Sequence, residues 1–121
     1  MHDHAVWVSN TDQGTIAEIP IRADGSAGPI RPVATGLAGG IDNFIVLGRD
    51  NTILAALDQS SQVVLIRPGS RPQVILTATD GLSNPTDVAV RHDTIYVTIY
   101  VTSAAYFTFN DPNLLTAHLH R

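Results

Sequence analysis

The feature that most constrains the fold of this chain is an internal repeat of about 42–47 residues. Gly36-Leu37 lies 45 residues before Gly81-Leu82. Each pair introduces an apolar run, and Asp42 at the first run lies 45 residues before Asp87 at the second. Repeats of this length are typical of the blades of β-propellers, in which each blade is one antiparallel sheet.

Two further alignments extend the repeat over most of the chain. Residues 52–55 (TILA) match residues 94–97 (TIYV) at an offset of 42, and residues 7–19 match residues 54–66 at an offset of 47. The unit therefore occurs about two and a half times. We interpret the chain as a series of related sheets.

Turn residues and strand residues alternate within each unit. Asp24-Gly25-Ser26 and Arg67-Pro68-Gly69-Ser70 are turn sequences, because Gly and Asp accept positive φ angles and Pro presets φ near −65°. The apolar runs between such turns predict strands near residues 5–9, 15–20, 29–34, 42–47, 52–57, 62–67, 72–77, 86–90 and 94–109. Residues 112–120 are the one segment that suggests a helical turn or two. We predict an all-β fold.

The repeat also predicts how much of a propeller is present. We expect a single domain, a partial β-propeller of about two and a half four-stranded blades, with units at about 1–40, 41–85 and 86–109 and a tail at 110–121. A closed ring needs at least about four blades, so we expect a C-terminal fragment of a larger propeller. The alternative is that copies of the chain associate through the open propeller edges.

Composition excludes several partners. The formal net charge is −4, and the seven cationic residues, all Arg, are dispersed along the chain, so no nucleic-acid-binding patch is expected. No apolar run approaches the ~20 residues of a membrane helix, and we expect no membrane partner. The chain has no Cys, hence neither disulfides nor thiolate metal sites. No signal peptide is visible, which favours a cytoplasmic protein.

The chain has GLSNPTDVAV at residues 81–90 and DTIYVT at residues 93–98, which together resemble the blade signature of the SMP-30/gluconolactonase and NHL-like six-bladed β-propellers. VWVSN at residues 6–10 with GTI at residues 14–16 resembles the hairpin that follows such a signature. The likeness covers the chain up to about Phe109. Residues 24–28, 40–44 and 103–107 are similar to SMP-30-like propellers of fungal biosynthetic clusters. Some of that group are hetero-Diels–Alderases acting on quinone-methide-type intermediates.

The resemblance implies a small-molecule-binding propeller of fungal secondary-metabolite biosynthesis that guides a cyclisation of a small organic molecule without a redox cofactor. One alternative is a metal-dependent, gluconolactonase-like lactone hydrolase, for which a divalent cation such as Ca²⁺ would be the cofactor. SMP-30-type hydrolases use an Asn in a Ser-Asn-Gly-type segment as a metal ligand, whereas here Pro85 follows Ser83-Asn84. A non-catalytic scaffold or an inactive truncated paralogue is the other alternative.

Four residues are the candidate ligand-binding positions. In propellers of this kind the strand after the Gly-Leu pair lines the central channel, which selects Asp42 and Asn43 in one blade and Thr86 and Asp87 in the next. Paired carboxylates there suit a hard cation, or each caps its own turn by accepting a backbone N–H. We assign no metal ligands and no catalytic residue from the sequence.

Overall fold

The computed structural model describes residues 4–99 and 113–120, and within these ranges the fold is all-β. The apolar runs between the turn sequences form ten strands, with one turn of 3-10 helix at Ala78–Asp80. The strands are β1 (Ala5–Asn10), β2 (Thr15–Pro20), β3 (Arg31–Ala34), β4 (Ile41–Leu47), β5 (Thr52–Leu57), β6 (Gln62–Ile66), β7 (Gln73–Leu76), β8 (Pro85–Arg91), β9 (Thr94–Ile99) and β10 (Asn113–His118). None of the described residues forms a helix long and apolar enough to cross a bilayer.

The strands form three antiparallel sheets, each of which is a simple meander. Sheet 1 contains β1–β3, sheet 2 contains β4–β7 and sheet 3 contains β8–β10. Sheet 2 is one complete four-stranded blade. Among the described residues, sheet 1 has no counterpart of β4, and sheet 3 has no counterpart of β7. This is a partial β-propeller of two and a half blades, as the repeat predicts.

Strand register confirms two of the three sequence offsets. Trp7 pairs with Glu18 in sheet 1, and Leu54 pairs with Leu65 in sheet 2, which preserves the offset of 47. Leu47 pairs with Thr52, and Arg91 pairs with Thr94, so β5 and β9 correspond at the offset of 42. Sheets 1 and 2 even share a register shift, at Ile16/Ala17 and at Val63/Val64.

The inner strands correspond at an offset of 44, and the predicted offset of 45 is wrong. Phe44 pairs with Ala55 and Val88 with Val97, so Phe44 corresponds to Val88. The loop after Leu82 is one residue shorter than the loop after Leu37. As a result the counterpart of Asp87 is Asn43, whereas the sequence alignment paired Asp87 with Asp42.

Sheet 2 packs between its two neighbours and forms the centre of the molecule. All six residues of its second strand, β5, are buried. Ile53 and Ala55 join a cluster with Ile16 of sheet 1, and Leu54 joins one with Val97 of sheet 3. Each fully buried Leu or Ile side chain contributes roughly 1.5–3 kcal/mol. The sheets therefore stabilise one another through their faces.

The tail contains a strand, where the sequence suggested helical turns. β10 pairs with β9, and Leu115 and Ala117 pack against the cluster between sheets 2 and 3. A segment of nine residues is too short for a stable helix without packing, and the open edge of β9 supplies a full ladder of hydrogen bonds. The predicted strand to residue 109 is confirmed only up to Ile99. Residues 100–109 lie outside the described residues.

The turn between β1 and β2 fastens sheet 1 to the segment that leads into sheet 2. Gly14 O accepts a hydrogen bond from Leu37 N at 3.0 Å, and Thr11 Oγ1 donates to Ile41 O at 2.8 Å. Gly14 has φ +62°. A Cβ atom at Gly14 would lie 2.2 Å from Leu37 O. This close approach requires glycine.

We predict that Gly14→Ala destabilises the fold more than Gly25→Ala. Both glycines have positive φ, so both variants lose on the order of 1–2 kcal/mol of backbone conformational energy. A Cβ atom at Gly25 meets nothing within 4 Å. Gly14→Ala must also displace the Leu37 carbonyl, which costs roughly 1–3 kcal/mol more. Urea unfolding of the two variants measures the difference, and equal losses would contradict the proposed contact.

Candidate functional site

The four predicted positions lie where the two inner strands begin. Asp42 is the extra residue of a β-bulge in β4, between the pairs Ile41–Leu57 and Asn43–Ala56. Thr86 is the extra residue of the corresponding bulge in β8, before the pair Asp87–Thr98. β-bulges bend the strand and change the direction of a side chain. Here they place two polar residues in succession at the same end of both strands.

Asn43 and Asp87 join the two inner strands directly. Asn43 Nδ2 donates a hydrogen bond to Asp87 Oδ1 at 2.6 Å, although the two residues belong to different sheets. Each side chain also accepts from the next backbone N–H: Phe44 N lies 2.8 Å from Asn43 Oδ1, and Val88 N lies 2.7 Å from Asp87 Oδ1. Both residues are exposed to solvent. The pair is thus fixed in orientation and accessible.

The capping role considered for the two aspartates fits Asp87 and not Asp42. Asp87 caps the backbone of its own strand through Val88 N. Within the described part of the chain, no hydrogen bond of the Asp42 side chain is found, and this residue is exposed. Asp42 thus lies beside the Asn43–Asp87 pair as a carboxylate open to solvent.

Thr86 lies beside the same pair, but its hydroxyl has a partner. Thr86 Oγ1 lies 2.9 Å from Thr98 Oγ1 on β9, and Thr86 is half-buried. Either hydroxyl can donate in this contact. The structure therefore brings Asn43 and Asp87 into contact and ties Thr86 to its own sheet.

Three carboxylates create a negative potential at this end of the strands. Loss of water around Asp42 raises the pKa of its carboxyl above the usual value, and repulsion from Asp58 and then from Asp87 raises it further. Such a surface favours ligand groups that donate hydrogen bonds or carry positive charge.

Asp58, which follows the last residue of β5, was not among the residues predicted from the sequence. Asp58 N donates to Gly40 O at 2.8 Å, which places Asp58 against the loop before β4. Asp58 Oδ1 is buried, with no hydrogen-bond partner among the described residues. The repeat contained a signal for it: Asp58 corresponds to Thr11 at the offset of 47, and Thr11 also binds the start of β4.

We tested whether these residues fit the calcium site that a lactone hydrolase would require. Among residues 4–99 and 113–120, no three His, Cys, Asp or Glu side chains converge closely enough to hold a metal ion. Asn43 also presents its amide nitrogen to Asp87, whereas Ca²⁺ takes oxygen ligands. The described residues therefore do not fit a divalent cation.

A cleft of about 380 Å³ opens at the same end of the sheets, between sheets 1 and 2. Its wall is the glycine-rich loop between β3 and β4, with the β1–β2 turn and Gln59 opposite. A cleft of this size lies at the lower end of the range for small-molecule sites, about 300–1,000 Å³. Its lining residues are Thr11, Asp12, Gln13, Gly14, Gly36, Leu37, Ala38, Gly39, Gly40 and Gln59.

Comparison with known proteins adds no family assignment. No protein-family model matches the chain, and no curated protein matches its sequence. The resemblance to SMP-30/gluconolactonase and NHL-like propellers therefore stays a prediction from the sequence.

We predict that Asp42→Asn stabilises the fold at pH 7. Because the pKa of Asp42 is raised in the folded state, its ionisation opposes folding as the pH rises from about 3.8 through the folded pKa. Asparagine carries no such charge. The variant's gain in unfolding free energy should therefore disappear below pH 3.8, where the Asp42 carboxyl is neutral in both the folded and the unfolded state. Unfolding free energies measured between pH 3 and pH 7 give the profile.

Asp24→Asn is the control of opposite sign. Hydrogen bonds from Ser26 lower the pKa of Asp24, so its ionisation favours folding above pH 3.8, and this contribution is lost as the pH falls through the folded pKa. Asp24→Asn should therefore destabilise at pH 7. If both variants change stability in the same direction, charge does not explain the effect at Asp42.

Proposed function

We propose that this chain is part of a small-molecule-binding β-propeller that guides the cyclisation of a reactive organic intermediate without a redox cofactor. The ligand would lie at the beginning of β4 and β8, against Asp42, Asn43, Thr86 and Asp87. The observation that carries the proposal is the 2.6 Å hydrogen bond between Asn43 and Asp87, which fixes two polar side chains of neighbouring blades at an exposed position.

Preorganised hydrogen-bonding groups are what such a reaction requires from a protein. A cycloaddition needs its two reacting parts held in one orientation, and a donor beside a polarised carbonyl lowers the barrier. Asn43 retains a second amide N–H after bonding to Asp87, and this group is a donor of fixed direction. Asp42 and Asp87 supply acceptors for hydroxyl groups on the ligand.

The lactone-hydrolase alternative receives less support from the described residues. Hydrolysis of that type needs a cation to polarise the carbonyl and activate water, and the acidic residues here do not converge on an ion site. A non-catalytic scaffold is the remaining alternative, and the experiment below separates the three.

We predict that the chain changes the ratio of the products formed when an ortho-quinone methide, generated in solution, reacts with an alkene. Chiral chromatography of the products with and without protein measures the ratio. Asn43→Ala should restore most of the uncatalysed ratio, because one net hydrogen bond of about 1 kcal/mol corresponds to roughly a fivefold change in rate.

Gln73→Ala is the matched control, because it removes an exposed amide from the outer strand β7. It should leave the product ratio of the native chain unchanged. An unaltered ratio with the native chain would contradict the proposal and favour a scaffold. Hydrolysis of gluconolactone that EDTA abolishes would instead favour the lactonase.

A further inference from the structure

Each sheet carries apolar residues on the face that is turned toward the preceding sheet. Among the described residues, no sheet precedes sheet 1. The first and third apolar positions of the second strand are Ile53 and Ala55 in sheet 2, both buried against sheet 1. In sheet 3 the same positions, Ile95 and Val97, are fully buried against sheet 2.

In sheet 1 the corresponding residues are Val6 and Val8, and they are 42% and 39% exposed. Side chains alternate between the two faces of a strand, so Val6 and Val8 point away from sheet 2, while Ala5 and Trp7 face it. Ala5 is buried, and Trp7 packs against the cluster between sheets 1 and 2. The outer face of sheet 1 thus has the sequence pattern of a covered face.

The outer face of sheet 3 is the complementary surface. Tyr96 corresponds to Trp7 in the repeat and alternates with Ile95 and Val97, so it points away from sheet 2. Leu114 on β10 pairs with Thr98, shares this outer face and is 60% exposed. Sheet 3 therefore presents an aromatic and an aliphatic residue on its outer face. In sheets 1 and 2, the corresponding face packs against the next sheet.

We propose that a second copy of this chain covers both faces, with sheet 3 of each copy packed on sheet 1 of the other. The contact continues the packing that already joins sheet 1 to sheet 2 and sheet 2 to sheet 3. Closed propellers have about four to eight blades. The described residues of each chain form three sheets, so two copies supply six sheets, a number within this range.

A paired ring also completes the candidate site. In one chain, Asn43 and Asp87 line only the part of the channel that β4 and β8 form. The twofold axis of the pair would coincide with the ring axis and place the second copy's equivalent residues across the channel. Ligand binding at the rim would then depend on the pair. The association itself does not rest on the proposed catalytic function.

The test is the molar mass of the purified chain by size-exclusion chromatography with light scattering. We expect twice the 12.9 kDa of one chain. Val6→Lys and Leu114→Glu should each give monomers, because each charge blocks both junctions of the pair. Val74→Asp is the matched control: Val74 is 45% exposed, but it lies on sheet 2, whose neighbours are both present, so this variant should remain dimeric.

Mixing the two monomeric variants distinguishes the proposed geometry from other dimers. In a mixed pair one junction contains both substitutions, Lys against Glu, and the other junction is native, so the mixture should recover the dimer. A monomeric native chain, a series of larger species, or a dimer that Leu114→Glu leaves intact would each overturn the proposal. Circular dichroism confirms that each variant is folded before its mass is interpreted.

Discussion

The contact between the faces of neighbouring sheets is the interaction on which the rest of the structure depends. A four-stranded sheet that is apolar on both faces cannot bury itself. Sheet 2 shows the result when both neighbours are present, since every residue of β5 is buried. In the corresponding strand of sheet 1, Ala5 is buried, Trp7 and Ser9 are half-buried, and the three other residues are exposed. Side-chain burial therefore increases from the two outer sheets toward the middle one.

The candidate site is a consequence of this packing. Asn43 and Asp87 are 44 residues apart in sequence and belong to separate sheets, yet they share a hydrogen bond. Neither sheet contains both residues, so the pair exists only while sheets 2 and 3 remain in contact. The bonds from Phe44 N and Val88 N hold each side chain against its own bulge. Site geometry and sheet packing are therefore coupled.

Local signals in the sequence were enough to predict the fold class and most strands. β2 and β5 begin and end at the predicted residues, because apolar runs and turn residues act within a few positions. β10 was not predictable in this way, since pairing with β9 overrides a short ambiguous pattern. Asp58 was missed because its importance comes from the Gly40 loop that packs on it, which no local pattern encodes.

The bulges at Asp42 and Thr86 have a consequence for how repeated blades diverge. The segments that lead into the two inner strands differ by one residue, yet the strands behind the bulges pair in the same register. Because both strands carry the same one-residue bulge, the difference in length lies in the loop before the bulge and leaves the register of both strands unchanged. Gains and losses of single residues can therefore accumulate in these loops without disturbing the core, and the residues that begin successive inner strands drift out of step in sequence while keeping one position in space.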